Sequence, residues 1–178
     1  HTISVSAFLL NRSSDMVVRK LNMRCWHKDL IKLLPKQQLC GQWRECCLIA
    51  KQITENGSPN RILVTRIMDY PLNHFITYSK MIWKEMCHRK YKCSWEKFQN
   101  YIFPAAIREA RYYVLDELDK NLLFCNWHNE TYLRQCLYNL EEKAICNGIS
   151  YDEWKPIYNK YKNKYEFWGK IDLWKERD

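Results

Sequence analysis

An all-α fold is predicted by three features of the sequence. Apolar residues recur at three- and four-residue spacing over long stretches, four glycines and five prolines are all that punctuate 178 residues, and no alternating strand pattern persists. With 47% apolar residues the chain can enclose one core, so a compact single domain of about four to six helices is expected.

Pro35 leads into the first long helix, from about Gln37 to Glu55, and Asn56-Gly57 supplies a C-terminal cap. Its inward stripe is Leu39, Trp43, Cys46 or Cys47, Ala50 and Ile53. A second helix follows Pro71, with Phe75, Tyr78, Ile82 and Met86 on one face and Lys80, Lys84 and Arg89 outside it. Pro104 is read as the opening of a third, Ala105 to Lys120, whose stripe is Ile107, Tyr112, Leu115 and Leu118. A fourth runs from about Glu130 to Cys146 and stops at Asn147-Gly148. Ser150-x-x-Glu153 then has the form of a capping box, which predicts a helix from Tyr151 followed by a loop-like tail. There is no internal repeat and no low-complexity tract. Residues 1–22, HTISVSAFLLNRSSDMVVRKLN, differ in composition and are expected to be an accessory extension, whether a transit-like leader, an arm or a small added helix.

A formal charge of +9 and a pI near 9.1 point to a polyanionic partner, nucleic acid or an acidic membrane surface, and charge alone does not choose between them. No run of about 18 apolar residues occurs, so no membrane span is expected. Nine cysteines form an odd set without framework spacing, which predicts reduced thiols and an intracellular location. Cys125-x-x-His128 with Cys136 and Cys146 offers zinc-type ligands. The spacing matches no common zinc module, and Cys136 shares a helical stripe with Leu133, Leu137 and Leu140, so no metal and no organic cofactor is expected.

On the first long helix Gln38, Gly41, Glu45 and Leu48 share a face. A glycine inside a helix costs about 1 kcal/mol relative to alanine, so Gly41 implies close packing there, by another backbone or by a ligand. Arg44 and Glu45 are adjacent, hence about 100° apart, and each faces a different neighbour. A carboxylate among Arg24, Lys36 and Arg44 suits chemistry on a phosphate-linked sugar, although a surface glutamate is normally just a solvated charge.

Met23-Arg24, then Gln37-Gln38-Leu39-x-x-x-Trp43-Arg44-Glu45, resembles the start of the pyrimidine-dimer DNA glycosylase family, small all-helical repair endonucleases with a Gln-His-Leu-x-x-x-Tyr-Arg-Glu segment. Trp43 stands for the family's Tyr and Gln38 for its His. The segment Asn73 to Lys92 is similar to the family's second long helix, which begins near a histidine, and Lys164 to Ile171 to its aromatic, lysine-rich tail, with Tyr165, Gly169 and Lys170 in register. Residues 23–178 then form the glycosylase-like domain, and about 95–150 reads as an insertion.

The resemblance implies an N-terminal α-amine that attacks C1′ of the damaged nucleotide, placed here at Met23, with Glu45 assisting base loss and β-elimination. Arg24 and Arg44 would hold phosphates. Because 22 residues precede Met23, four outcomes stay open: a free amine near Met23, a lysine such as Lys20 in its place, water activated by Glu45, or binding without catalysis. Gln38, His27 and His74 are further candidates around the lesion. Between Trp154 and Lys170, aromatic rings alternate with lysines; Lys164, Tyr165, Trp168 and Lys170 are expected to grip DNA by phosphate attraction and base stacking, the alternative being a buried aromatic stripe with solvated lysines. The expected activity is a DNA-repair glycosylase, possessing AP-lyase activity if the nucleophile is an amine, on damaged double-stranded DNA. The alternative is a non-catalytic nucleic-acid-binding protein on the same scaffold, and no obligate protein partner is evident.

Overall fold

The structure, a computed structural model, describes residues 24–60, 62–108 and 118–167. Those residues contain six α-helices, two 3-10 turns and no strand, as the all-α expectation requires. Residues 1–22, Met23, Tyr112, Leu115, Trp168 and Lys170, all named above, lie outside the described residues.

The first 3-10 turn, Lys28–Leu33, precedes α1, Lys36–Asn56. The start of α1 is capped from a distance, because the Lys36 N–H donates to Glu153 Oε1 at 2.9 Å. Its end is the predicted cap: Gly57 has φ +77° and donates to Ile53 O at 3.0 Å. The buried stripe contains Leu39, Trp43, Cys46, Ala50 and Ile53 together with Gln42 and Ile49, so Cys46 faces the core and Cys47 lies beside it. A four-residue helix, α2 (Ile62–Thr65), and the second 3-10 turn, Arg66–Asp69, lead to Pro71 and α3, Leu72–His88. Phe75, Tyr78, Ile82 and Met86 are buried as expected. Arg89, expected outside, is half-buried and donates to Glu85 Oε1, Leu34 O and Lys32 O.

The third helix departs from expectation. α4 runs Trp95–Arg108 and contains Pro104 instead of starting at it. Ser94 opens the helix by accepting the Lys97 N–H at 3.2 Å, and Phe98, Ile102, Ala105 and Ala106 carry the apolar stripe straight past the proline. Proline is favoured at a helix start and costs about 3 kcal/mol inside one, which is why Pro104 predicts a start there. Here that cost is offset by burial against α1, where the Trp43 ring lies 6.4 Å from Trp95 and 6.0 Å from Phe98. Ile107, expected inside, is 75% exposed, and Leu118 and Lys120 lie in non-helical chain. The Leu118 N–H donates to Thr77 Oγ1 at 3.2 Å.

α5, Glu130–Ile145, starts at Asn129, whose side chain accepts the Tyr132 N–H at 3.0 Å. Leu133, Cys136, Leu137 and Leu140 are its buried stripe, and Asn147 takes the left-handed conformation just beyond it, with φ +58°. α6, Tyr151–Tyr161, begins with the Ser150/Glu153 capping box read from the sequence. The five longer helices each contribute at least three residues to one shared core.

Candidate active site

Residues 24–27 have no regular structure yet are mostly buried, so backbone polar groups there need partners outside a helix ladder; His27 O accepts the Leu30 N–H, and side chains bond others. Three helices supply such side chains, and one loop holds Lys28 just beyond the segment. From α1, Gln42 Oε1 accepts the Trp26 N–H at 3.0 Å; from α3, the Tyr78 hydroxyl donates to Trp26 O at 2.8 Å. From α5, the Tyr132 hydroxyl donates to Cys25 O at 2.6 Å, and ahead of it His128 Nδ1 accepts the Lys28 N–H at 3.0 Å. The chain that emerges from Met23 is therefore fixed on four sides.

Glu45 is half-buried on the same side of α1. Gln42, already bonded to Trp26, places Nε2 3.5 Å from Glu45 Oε2, so one amide lies between the irregular segment and the carboxylate. The Cys25 thiol is pushed well up by burial first, then by Cys46 and Glu45, which puts the carboxylate's field on this segment. One turn earlier, a Cβ built on Gly41 would meet nothing within 4 Å among the described residues. Among the described residues, then, nothing packs tightly against this turn of α1. On the same face Gln38 is half-buried and its Oε1 has no hydrogen-bond partner among the described residues.

The two arginines serve different surfaces. Arg24 lies with its guanidinium carbon 5.7 Å from the Trp26 ring centre and lines a groove with Tyr138, Glu141, Glu142 and Ile145 of α5. Arg44 is exposed and lines a shallow depression between α1 and α4 with Trp43, Lys51, Lys97 and Tyr101.

The histidines are held in the framework. His27 accepts the Asp29 N–H through Nδ1 at 3.2 Å and stacks on His128 with ring centres 5.1 Å apart. His74 Nδ1 accepts the Phe124 N–H at 3.0 Å. Burial lowers the pKa of each, and takes His128 down to about 2. The zinc alternative finds no arrangement among the described residues: His128 Nδ1 holds Lys28, Cys136 is buried in the α5 stripe, and Cys125 and Cys146 are exposed.

In the C-terminal segment Trp154, Tyr161 and Tyr165 are buried, which is the aromatic-stripe alternative. The Tyr165 hydroxyl is hydrogen-bonded to Glu130, and Lys164 Nζ pairs with the same carboxylate at 2.7 Å. Lys155, Lys160 and Lys162 are exposed, beside the rings of Tyr151, Tyr161 and Tyr158. Gln42, Tyr78 and Tyr132 were not singled out from the sequence as site residues. Gln42 alone left a trace, as an amide in the buried register three residues before Glu45.

Residues 23–98 match the family model for pyrimidine dimer DNA glycosylase, in support of the resemblance carried by Met23-Arg24 and the Gln37–Glu45 segment. No curated protein and no solved structure matches the chain. No helix among the described residues is long and apolar enough to cross a membrane.

Proposed function

We propose, from the match of residues 23–98 to the pyrimidine dimer DNA glycosylase family, that this chain is a DNA-repair glycosylase acting on dimer-like damage in double-stranded DNA, with Glu45 as its acid–base group. The observation that carries the proposal is the placement of Gln42 between the Trp26 N–H and the Glu45 carboxylate. It sets the backbone that follows Met23 within one amide of the Glu45 carboxylate, the arrangement a nucleophile delivered from residue 23 requires. The net charge of +9 favours a phosphate-bearing substrate, and Arg24 and Arg44 are the proposed phosphate contacts on either side of α1.

The chemistry divides by nucleophile. If Met23 presents a free α-amine, its nitrogen bonds to C1′, the glycosidic C1′–N bond breaks, and the base leaves with that electron pair. The bound nitrogen then loses a proton, the C1′–O4′ ring bond breaks and O4′ is protonated. The imine so formed permits β-elimination, in which the C2′ proton is removed and the 3′ C–O bond breaks; Glu45 moves the protons. An amine with a pKa near 8 keeps a usable neutral fraction at physiological pH. If no amine is presented, Glu45 takes a proton from water, the hydroxide oxygen bonds to C1′, and the base leaves without strand cleavage.

Incubating the protein with a duplex bearing one dimer, then adding borohydride, tests the proposal. A reduced covalent adduct identifies the amine, and glycosidic-bond scission without an adduct, read as an alkali-labile abasic site, identifies water. Neither product, with salt-dependent binding intact, removes catalysis and leaves a nucleic-acid-binding scaffold.

A further inference from the structure

Two cysteines lie at the ends of the turn between α3 and α4. The turn is built by backbone hydrogen bonds: Arg89 N–H to Glu85 O at 3.0 Å, Lys90 N–H to Cys87 O at 2.9 Å and Tyr91 N–H to Met86 O at 2.9 Å. Lys90 adopts the left-handed conformation, φ +59°, that reverses the chain at a helix end. The reversal brings Cys87 Sγ and Cys93 Sγ to 3.6 Å. Cys87 is exposed and Cys93 half-buried. A disulfide needs the sulfurs at about 2.05 Å, so rotation of two side chains across an already formed turn closes the gap.

We propose that Cys87 and Cys93 are an oxidisable dithiol site, converted to an intramolecular disulfide by a small-molecule disulfide such as oxidised glutathione. The inference is independent of the repair activity. The exposed Cys87 thiolate attacks one sulfur of the small disulfide, its S–S bond breaks, and one small thiol departs. Cys93 then gives up its proton and attacks Cys87 Sγ, expelling the second small thiol. Two protein S–H groups and one small disulfide become one protein disulfide and two small thiols. Burial, then Cys87 itself, raises the Cys93 thiol to about 11, so Cys93 is not the first to attack. Its 3.6 Å separation from Cys87 Sγ is what carries the second, intramolecular step. The bond would enclose Arg89, whose guanidinium holds Lys32 O and Leu34 O, and Tyr91, over whose ring Lys36 Nζ lies 5.4 Å away. The closed loop therefore fastens the turn that brackets the entry to α1, the helix that carries Glu45.

The competing partners are Cys40 and Cys47 of α1, whose thiols lie near enough to influence Cys93. The test treats the full chain with oxidised glutathione, alkylates the remaining thiols, and digests with trypsin. The expected product is a reductant-sensitive link between the peptides Glu85–Arg89 and Cys93–Lys97, absent from Cys87→Ser, in which Cys93 is alkylated or carries glutathione instead. Repeating the oxidation in denaturant should scatter the pairing over the other cysteines. A native-state link from Cys93 to Cys40 or Cys47, a Cys87 left as a mixed disulfide beside an alkylated Cys93, or full alkylation of both thiols would overturn the proposal.

Discussion

Gln42 Oε1 takes the backbone N–H of Trp26 at 3.0 Å, across sixteen positions of sequence. Both groups are buried, so the bond cannot be exchanged for water when one partner is removed. Gln42→Leu should strand the amide and lower stability by about 1–3 kcal/mol, measured by urea denaturation. Since the same amide lies beside Glu45, base release should slow through kcat more than through KM. A variant of normal activity would show that Gln42 does not position the reacting groups.

Glu45→Gln keeps the shape of the side chain and removes its ability to accept a proton. Base release should fall by about 10²- to 10⁴-fold, the usual weight of general acid–base assistance, while binding to a damaged duplex is unchanged. Gel-shift and single-turnover assays read the two quantities separately. Equal activity in this variant would take Glu45 out of the mechanism.

Tyr78 and Tyr132 donate to neighbouring carbonyls, Trp26 O and Cys25 O, from opposite helices. Tyr78→Phe and Tyr132→Phe should each cost about 0.5–1.5 kcal/mol, and because they hold adjacent residues their effects should not add. A double-mutant cycle by thermal or urea unfolding measures the coupling. Strict additivity would mean that the two hydroxyls fix Cys25 and Trp26 independently.

Helix positions were legible where local chemistry and burial agree. Gly57 ends α1, the Ser150/Glu153 box starts α6, and the Leu133–Leu140 stripe of α5 is buried, all as periodicity and capping rules dictate. Pro104 misled because its local preference for a helix start was outweighed by a tertiary contact, the packing of Phe98 and Ile102 on α1, that no short window contains. The aromatic spacing of α6 serves a stacking surface and a core stripe equally, and the burial of Trp154 and Tyr161 depends on packing that the spacing does not contain. Within the candidate site, Glu45 stands out through its motif. The partners of its neighbouring backbone do not, because Tyr78 and Tyr132 reach Trp26 and Cys25 over 52 and 107 positions.

The stacked pair His27 and His128 predicts an acid-sensitive fold. Each Nδ1 accepts a backbone N–H, and each Nε2 is buried without a partner among the described residues. Burial lowers both pKa values, His128 to about 2, whereas the unfolded chain protonates them near 6.5. The unfolded state thus binds more protons below that value, so stability is full above about pH 6.5 and declines as pH falls toward the folded values. His74 acts in the same direction. Asp29 and Glu153, whose carboxyls are held below their usual range, add a further loss only at still lower pH. Urea midpoints at about pH 7.5 and pH 5 should therefore differ in wild type, and differ less in His128→Asn, which keeps an acceptor for the Lys28 N–H. An equal pH dependence in that variant would assign the acid sensitivity elsewhere.

Gly41 separates folding from function in a single substitution. It lies inside α1, no positive φ constrains it, and an added Cβ would meet nothing within 4 Å among the described residues. Alanine should therefore gain the ordinary helix preference, about 0.8–1 kcal/mol, and raise the melting temperature. A glycine that weakens its own helix without relieving any contact is accounted for if a ligand approaches the backbone closely there. The same Gly41→Ala change should then lower kcat/KM on dimer-bearing DNA, because the new methyl group occupies the approach one turn from Glu45. Stability and activity are expected to move in opposite directions, read by thermal unfolding and by base release on one preparation. Higher stability with undiminished kcat/KM would mean that DNA does not come close at Gly41 and that the substrate reaches Glu45 from another side.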